Sequence, residues 1–339
     1  MDPFALTRAL VDIESVTNNE KLVGDFLFEE LSTLAAEFDG RVERIAVAPD
    51  RDNVFASFGE PLVTLSTHMD TVPPFFASRE DDEFIWGRGA CDAKGIIAAM
   101  IAAAHKLLAA GTRGIGLLFV VGEERNSAGA KAAARVPRGS KFLINGEPTE
   151  NKLALGCKGV LRFEITARGK LAHSAYPHLG HSAIHDLLDV LGEIRAMKLP
   201  SEAVLGDGTL NVGVIAGGRA PNVVADEARA EIMFRTVGDP SILRAGVALA
   251  VRGRAEAREA IHIPAIHLTP FDGLPATSVA FATDIPALGE GWGKPFLIGP
   301  GSIHLAHTEE ERIPKRELTE AVEIYVLMVK QLLDQAAVR

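Results

Sequence analysis

Cysteine is almost absent from this sequence of 339 residues, and its scarcity excludes two kinds of site. Only Cys91 and Cys157 occur, so no disulfide framework can form. Their spacing also matches no thiolate zinc motif. Any bound metal ion must therefore be held by histidine and carboxylate side chains.

The sequence also lacks a basic segment and a long hydrophobic run. Lys and Arg total 35 against 45 Asp and Glu, and the net charge of -10 is spread along the chain, unlike the charge pattern of nucleic-acid-binding proteins. The most apolar candidate helix, residues 95–110, is interrupted by His105 and Lys106 and is too short to span a bilayer. Met1-Asp2-Pro3 is not a signal-peptide start. We therefore expect a cytoplasmic protein that binds neither nucleic acid nor membranes.

The length and the hydrophobic pattern predict two domains. Apolar residues with helical spacing in residues 2–34, interrupted near residues 17–19, indicate two helices. Short apolar runs with polar or Gly/Pro boundaries follow at residues 53–57, 62–66, 116–121 and 141–144. The 95–110 helix lies between the second and third of these runs. Strands that alternate with helices predict an α/β fold with a mostly parallel sheet flanked by helices.

The pattern changes from about residue 160. Strands and helices are expected in the order β-α-β-β-α-β at residues 161–167, 182–197, 210–215, 227–236, 240–252 and 260–266. This is the order of a ferredoxin-like α+β unit. The segments 283–288 and 295–298 and an amphipathic helix at 317–333 then return to the first pattern. We therefore predict a catalytic domain of residues 1–159 and 268–339 with an inserted domain of residues 160–267.

A histidine and an aspartate follow the second predicted strand. In the segment STHMDTVP, His68 and Asp70 stand at the carboxyl end of a buried strand, where α/β sheets keep their sites. Asp70 can accept a hydrogen bond from one ring nitrogen of His68 and so fix its tautomer. A lone histidine after a strand is more often structural, so this pair needs support from other segments.

Further acidic residues lie at the ends of predicted strands or at the start of a predicted helix. Asp92 lies in WGRGACDAKG, where a helix begins, as either a helix N-cap or a carboxylate that bridges two cations. Glu123 and Glu124 end the next strand; such a pair is commonly solvated, but one carboxylate can bind a metal ion while the other acts as general base. Glu147 follows the strand after that, in NGEPT.

The late segment GPGSIHLAHT supplies a second histidine. Together the metal-capable groups are two imidazoles and three carboxylates, namely those of His68, Asp92, Glu124, Glu147 and His307. This set is enough for two ions if Asp92 bridges them. Mixed nitrogen and oxygen ligands suit Zn²⁺, with cobalt or manganese as substitutes.

In these motifs the chain resembles the dinuclear zinc aminoacylase and carboxypeptidase family, which includes acetylornithine deacetylase, succinyl-diaminopimelate desuccinylase and glutamate carboxypeptidases. The resemblance rests on STHMDTVP, GRGACDAKG, GEE, GEPT and GPGSIHLAHT, in this order. In the inserted domain, AHSAYPHLGHSAI and GGRAPNVVADEARAEIMFR are similar to the family's lid-domain segments. The resemblance implies a zinc-peptidase-like catalytic domain, an inserted lid and two Zn²⁺ per subunit.

The resemblance also implies which residues bind which ion. His68 and Glu147 would bind one metal ion, Glu124 and His307 the other, and Asp92 would bridge them.

Further roles are implied for residues around the ions. Glu123 would be the general base, and Asp70 would orient His68. His307 is preferred over His304 as the ligand, because its spacing from Gly301 and the following Thr-Glu match the family better.

Residues of the inserted domain are implied to act on the substrate. His173 would donate to the scissile carbonyl oxygen, in its own subunit or across a dimer. Arg235 and Asn222, together with Gly301 of the large domain, would contact the substrate. Without the resemblance, His173 and Arg235 are equally well read as solvated surface groups. The chain departs from the family at Met233, where Asp is frequent two residues before the arginine, and at Ile96, where a second Gly is frequent; the first departure leaves the orientation of Arg235 less defined.

The implied function is removal of an acyl group from an N-acyl amino acid. N-acetylornithine deacetylation, a step in arginine biosynthesis, is preferred because the chain is short and AHSAYPHLG is close to the form seen in that enzyme. Alternatives are succinyl-diaminopimelate desuccinylase, an N-acetyl-lysine or N-acetyl-citrulline deacylase, and a small dipeptidase or carboxypeptidase. A homodimer through the inserted domain is expected. A non-catalytic metal-binding scaffold is the competing class; a serine hydrolase is disfavoured because no G-x-S-x-G is present.

Overall fold

The computed structural model describes residues 1–337 and divides into two compact units. Unit 1 comprises Met1–Leu155, Leu268–Thr277 and the chain from Thr283 onwards. Unit 2 comprises Gly156–His267 and Ser278–Ala282. Each unit has its own cluster of buried hydrophobic residues, as expected of a chain too long for one core.

The helices are α1 Pro3–Val11, α2 Lys21–Phe38, α3 Lys94–Ala109, α4 Glu123–Asn126, α5 Ala128–Ala133, α6 Ala183–Arg195, α7 Ser241–Val251, α8 Ile285–Leu288 and α9 Lys315–Ala337. The longer strands are β1 Arg41–Ala48, β2 Arg51–Phe58, β3 Val63–His68, β6 Ile115–Val120, β7 Phe142–Asn145, β8 Leu153–Cys157, β9 Gly159–Arg168, β12 Thr209–Gly217, β13 Glu227–Thr236, β14 Ala255–Ile263, β16 Ala276–Val279 and β17 Lys294–Leu297. Strands of two or three residues are β4 Arg79–Glu80, β5 Phe84–Trp86, β10 Ser201–Glu202, β11 Gly206–Asp207, β15 Ile266–His267 and β18 Arg312–Pro314. Within residues 1–337, no helix combines the length and the apolar composition that crossing a bilayer requires.

Unit 1 is built on a six-stranded sheet with the order β1-β2-β6-β3-β7-β17. The four strands from β6 to β17 are parallel, whereas β1 and β2 pair antiparallel at one edge. Every residue of β3 and β6 is buried, as expected of central parallel strands covered on both faces. The predicted α/β fold with a mostly parallel sheet is confirmed.

Helices of unit 1 cover this sheet. The carboxylate of Asp2 accepts the Phe4 N–H at 2.9 Å, and Pro3 occupies the first turn, so the sequence itself starts α1. Helix α3 is rich in Ala and Ile and is buried around most of its circumference, which allows it to contact both α1 and α9. The three helices place their apolar faces in the main core of unit 1.

Several segments differ from the sequence-based expectation, and three of them are instructive. Strand β1 was not predicted, because most of its residues are exposed or half-buried and leave no apolar run to detect. Residues 285–288 form the short helix α8. Strand β14 of unit 2 spans Ala255–Ile263 and so begins earlier than the predicted 260–266.

Unit 2 contains an antiparallel four-stranded sheet with the order β12-β13-β9-β14. Helices α6 and α7 pack on it through a core that includes Leu187, Val247 and Phe234. The elements follow one another as β-α-β-β-α-β, the order expected from the sequence. A function of this unit as a lid remains a prediction.

Candidate metal centre

Four of the predicted site residues lie at the carboxyl ends of three neighbouring strands of unit 1. His68 is the last residue of β3. Strand β6 ends at Val120, and Gly122, with φ +78, turns the chain into α4, which begins with Glu123 and Glu124. Glu147 follows the end of β7. Because β6, β3 and β7 are parallel neighbours, these residues meet at one edge of the sheet.

His68 is buried and has a partner at each ring nitrogen. Nδ1 lies 3.0 Å from the main-chain oxygen of Asp70 and 3.6 Å from its carboxylate, while Nε2 lies 3.0 Å from Asp92 Oδ1. With the Nδ1 proton directed to Asp70, Nε2 carries the lone pair that a metal ion needs. Burial acts to lower the pKa of His68, but hydrogen bonds with Asp70 and Asp92 outweigh it and raise the pKa well above its ordinary value.

Asp92 directs its two carboxylate oxygens to different histidines. Oδ1 lies 3.0 Å from His68 Nε2, and Oδ2 lies 3.4 Å from His307 Nε2. Burial opposes ionisation of Asp92, but the two histidines hold its pKa well below the usual range. The Asp92 carboxylate is ionised, and one of its oxygens faces each imidazole. This is the arrangement expected of a carboxylate that bridges two cations.

His307 completes this group from the far end of the sequence. Its Nε2 lies 2.9 Å from Glu124 Oε1, and its side chain is 49% exposed, whereas that of Glu124 is 7% exposed. Hydrogen bonds with Asp92 and Glu124 raise the pKa of His307 to about 10. His304 is exposed as well, but it is not among these contacts.

Asp70 supports both the histidine and the glutamate pair. Its carboxylate accepts the N–H of Glu123 at 3.0 Å and that of Glu124 at 3.3 Å, which are the first amides of α4. It also accepts the hydroxyl of Thr17 at 2.8 Å. Asp70 therefore fixes the loop that carries Glu123 and Glu124 in addition to contacting His68.

Glu123 and Glu147 crowd the same region with negative charge. Burial raises the pKa of Glu123 well above its ordinary value, and the neighbouring Glu147 adds to the effect. Burial likewise raises the pKa of Glu147 and outweighs the opposing influence of His68. Burying several carboxylates together is costly unless cations neutralise them.

The residues present therefore fit divalent cations. Ligand atoms of His68, Asp92 and Glu124 all lie within 4.8 Å of one another. This group, identified within residues 1–337, contains no cysteine thiolate. Imidazole nitrogens and carboxylate oxygens are the donors that catalytic zinc sites use. With His307 in contact and Glu147 nearby, all five predicted ligands lie in one region of unit 1.

The residues predicted to act on the substrate are divided between the units. In unit 2, His173 and Asn222 are close together: the Ser174 N–H donates to the Asn222 main-chain oxygen at 3.0 Å, and His173 pairs with Val223 in an isolated bridge. His173 Nδ1 accepts the Ala175 N–H at 3.1 Å, which leaves Nε2–H as a donor.

The positions of Arg235 and Gly301 do not test their predicted contacts with the substrate. Arg235 lies half-buried on β13, opposite Val160 of β9. Gly301 has φ +90 and donates its N–H to Glu317 Oε2 at 2.8 Å. A Cβ at this position would lie 2.6 Å from the Cβ of Cys91, so packing alone requires glycine here. Substrate contacts of both residues remain predictions.

Three buried polar side chains near or within this region were not predicted from the sequence. Thr17 reaches Asp70 from the turn between α1 and α2. Glu311 is buried and pairs with Arg88. Asp284 is buried, and burial raises its pKa to about 6 against the opposing effect of Ser127. Glu311 belongs to a Glu-Glu-Glu run that reads as solvated surface, so its sequence gave no signal.

The chain is similar to known proteins over most of its length. A model described as "Peptidase family M20/M25/M40" matches residues 64–331. A peptidase M20 domain-containing protein of Schizosaccharomyces pombe is 38% identical, covering 96% of this chain and 84% of that protein. A probable carboxypeptidase of Aspergillus flavus is 37% identical, covering 98% of this chain and 88% of that protein.

Solved structures show the same fold at lower identity. Aminopeptidase PepT from Bacillus cereus superposes with a TM-score of 0.80 at 19% identity, covering 98% of each chain. An M20 family metallo-carboxypeptidase from Sulfolobus solfataricus gives 0.77 at 16% identity, covering 96% of this chain and 98% of that one. A Bacillus subtilis protein described as a dinuclear metal-binding peptidase gives 0.67 at 17% identity, covering 97% and 98%.

Proposed function

We propose that this chain, which belongs to peptidase family M20/M25/M40, is a small carboxypeptidase or dipeptidase with two divalent cations. Membership of this family makes it a metal-dependent hydrolase. The observation that carries the proposal is the placement of Asp92, whose two oxygens face His68 and His307 separately. We propose that Asp92 bridges the ions, with His68 and Glu147 on one side and Glu124 and His307 on the other. Zn²⁺ is the proposed metal, with Co²⁺ as a substitute. When bound, the ions would polarise the amide carbonyl and acidify water.

Glu123 is the proposed general base. It is not among the residues that contact His307, and its partly buried carboxylate lies next to the ligand set. Burial raises the pKa of the Glu123 carboxyl, so its ionised form is a stronger base than an exposed carboxylate. In the proposed reaction Glu123 accepts a proton from the attacking water and passes it to the nitrogen of the leaving amine, while Asp70 holds the Glu123 amide in place.

His173 is proposed to stabilise the oxyanion that forms on the amide carbonyl. Because its Nδ1 already accepts a hydrogen bond from the Ala175 amide, the Nε2–H group is the donor available to a substrate oxygen. Asn222 lies beside it, and Arg235 is proposed to bind the free carboxylate of the substrate as a charged donor.

The descriptions of the relatives favour cleavage beside a C-terminal residue over acetylornithine deacetylation. Both reactions break an amide bond next to a free carboxylate, so the site described above serves either. An N-acyl amino acid, with N-acetylornithine as the preferred example, remains the second candidate because of the segment AHSAYPHLG.

A substrate panel separates the candidates. Purified protein with Zn²⁺ or Co²⁺ is offered dipeptides, N-blocked dipeptides, the same peptides as C-terminal amides, and N-acetyl amino acids, and the released amine is measured. We expect cleavage of peptides with a free carboxylate and little cleavage of their amides. Release from N-acetyl amino acids alone would replace the peptidase proposal with the deacylase. Dialysis against a chelator should abolish turnover, and added Zn²⁺ or Co²⁺ should restore it.

We also propose a homodimer formed through unit 2 and a cytoplasmic location. Strand β12 is at the edge of its sheet, and Val214 and Ile215 on it are 46% and 54% exposed. Leu188 of α6 is 52% exposed. An uncovered apolar edge strand invites pairing with a second copy. Sedimentation of the pure protein should give a dimer that Ile215→Lys weakens; a monomer at all concentrations would contradict the proposal.

A further inference from the structure

A single buried carboxylate connects the two segments of unit 1 that carry Asp92 and His307. Glu311, which is 1% exposed, lies four residues after His307. Its Oε2 accepts Arg88 Nη1 at 2.5 Å. Its Oε1 accepts the main-chain N–H of Gly89 at 2.9 Å and that of Asp92 itself at 3.3 Å. The carboxylate thus contacts the backbone of the proposed bridging residue directly.

Further contacts make this connection rigid. Arg88 is 2% exposed, donates Nε to the Pro74 main-chain oxygen at 3.1 Å, and stacks over Phe76 with its guanidinium carbon 4.8 Å from the ring centre. The Gly87 N–H donates to the main-chain oxygen of Glu311 at 3.1 Å. Movement of either segment would therefore break several contacts at once.

Glu311 contributes to fixing the backbone of Asp92. The Asp92 side chain can contact His68 and His307 only if the loop of residues 87–92 holds the Asp92 backbone in the right place. Three amides of this loop donate to the Glu311 carboxylate. Backbone amides that converge on a buried carboxylate form charge-assisted hydrogen bonds, which are stronger than neutral ones. Glu311, which is not a predicted ligand, therefore connects the Asp92 amide with the segment that carries His307.

We propose that Glu311 is a positioning residue for the metal centre, acting through the Asp92 amide and through its own place in the His307 segment. Groups that orient ligands commonly change metal affinity 10- to 100-fold when they are lost. The effect should fall chiefly on the ion that His307 and Glu124 are proposed to bind. This inference rests on the proposed ligand set and is independent of the proposed substrate.

The test measures metal binding, with turnover left aside. Chelator-treated wild type and Glu311→Gln are titrated with Zn²⁺ and, separately, with Co²⁺, whose visible absorption reports ligand geometry. Gln keeps the size and an acceptor oxygen but removes the charge opposite Arg88. We expect two ions in wild type, and in the variant a 10- to 100-fold weaker binding of one ion with an altered Co²⁺ spectrum.

Two control variants separate positioning from general stability. Glu310→Gln changes the adjacent glutamate, whose side chain is 70% exposed and pairs with Arg312 at 3.5 Å, and should bind both ions as wild type does. Leu332→Ala opens the main core of unit 1 and should lower the melting temperature without changing either affinity. If Glu311→Gln behaves like Leu332→Ala, with reduced stability and unchanged affinities, the positioning proposal is wrong.

A double variant covers the case in which Glu311→Gln does not fold because Arg88 is left buried without its counter-charge. Arg88→Met with Glu311→Leu removes both charges, which buried ion pairs often tolerate. Weakened binding of one ion in this folded protein supports the proposal, and wild-type affinities overturn it. A wild-type protein that binds no divalent ion would instead refute the ligand set itself.

Discussion

Replacing Glu123 by Gln tests the proposal that Glu123 is the general base. The variant should lose turnover, whereas the metal-free protein should become more stable at pH 8. Gln has nearly the same shape and keeps the main-chain N–H that donates to Asp70 at 3.0 Å. It cannot accept a proton. Loss of a general base typically costs 10²–10⁴-fold in rate, which corresponds to about 2.7–5.4 kcal/mol of transition-state stabilisation.

The stability of the metal-free protein should change in the other direction. Burial, with Glu147 nearby, raises the pKa of Glu123 well above 4.5. A carboxyl with a raised folded-state pKa stabilises the fold below its unfolded pKa and loses that contribution as the pH rises through the folded value. Glu123→Gln removes this loss. The variant should therefore be more stable than wild type at pH 8, and the difference should shrink below pH 4.5.

Both effects can be measured on one preparation. Turnover of the best substrate of the panel is assayed with Zn²⁺ present, metal content is determined after dialysis, and urea unfolding of chelator-treated protein is followed at pH 4 and pH 8. The exposed Glu29→Gln on α2 is the matched control and should change neither quantity. Turnover within threefold of wild type would refute the role of Glu123. Lost turnover together with lowered stability would point to structural damage instead.

Three further outcomes are expected. His307→Asn should leave one of the two ions weakly bound, as measured by metal content after dialysis; retention of both ions would remove His307 from the ligand set. In metal-free protein, contacts with Asp92 and Glu124 raise the pKa of His307 from 6.5 to about 10. The free energy of unfolding should therefore fall as the pH rises between these two values. Urea titrations at a series of pH values should show that His307→Asn makes this decline smaller. Zn²⁺ at about 100 times its dissociation constant should add about 2.7 kcal/mol of stability, seen as a higher melting temperature that a chelator reverses.

The sequence predicted the parts of the metal centre that lie at strand ends. His68, Glu124 and Glu147 follow buried apolar runs, and parallel strands bring such residues to one edge of a sheet, so their meeting could be expected before any coordinates. Asp92 and His307 were placed by their motifs, since neither follows a strand that the sequence alone connects to the others.

The supporting contacts could not be predicted in the same way. Thr17 lies in a turn that reads as a helix break, and its hydroxyl reaches Asp70 only because α1 and α2 pack beside β3. Arg88 and Glu311 are charged residues that sequence patterns place on the surface, yet they form a buried pair. Such contacts depend on how remote segments pack and leave no local periodicity. The choice between peptide and N-acyl substrates is equally beyond the motifs, because both need the same ions and base.

The proposed metal centre joins segments that lie far apart in the sequence. The contact between Glu124 and His307 spans 183 positions and that between Arg88 and Glu311 spans 223, and residues 156–267 of unit 2 lie between them in the sequence. Synthesis therefore produces residues 156–267 of unit 2 before it reaches His307. Contacts so distant in the chain close slowly, because the intervening segment must first be brought into order. Binding of the second proposed ion should therefore wait until unit 2 has been synthesised, and shortened products that stop before His307 should not bind it.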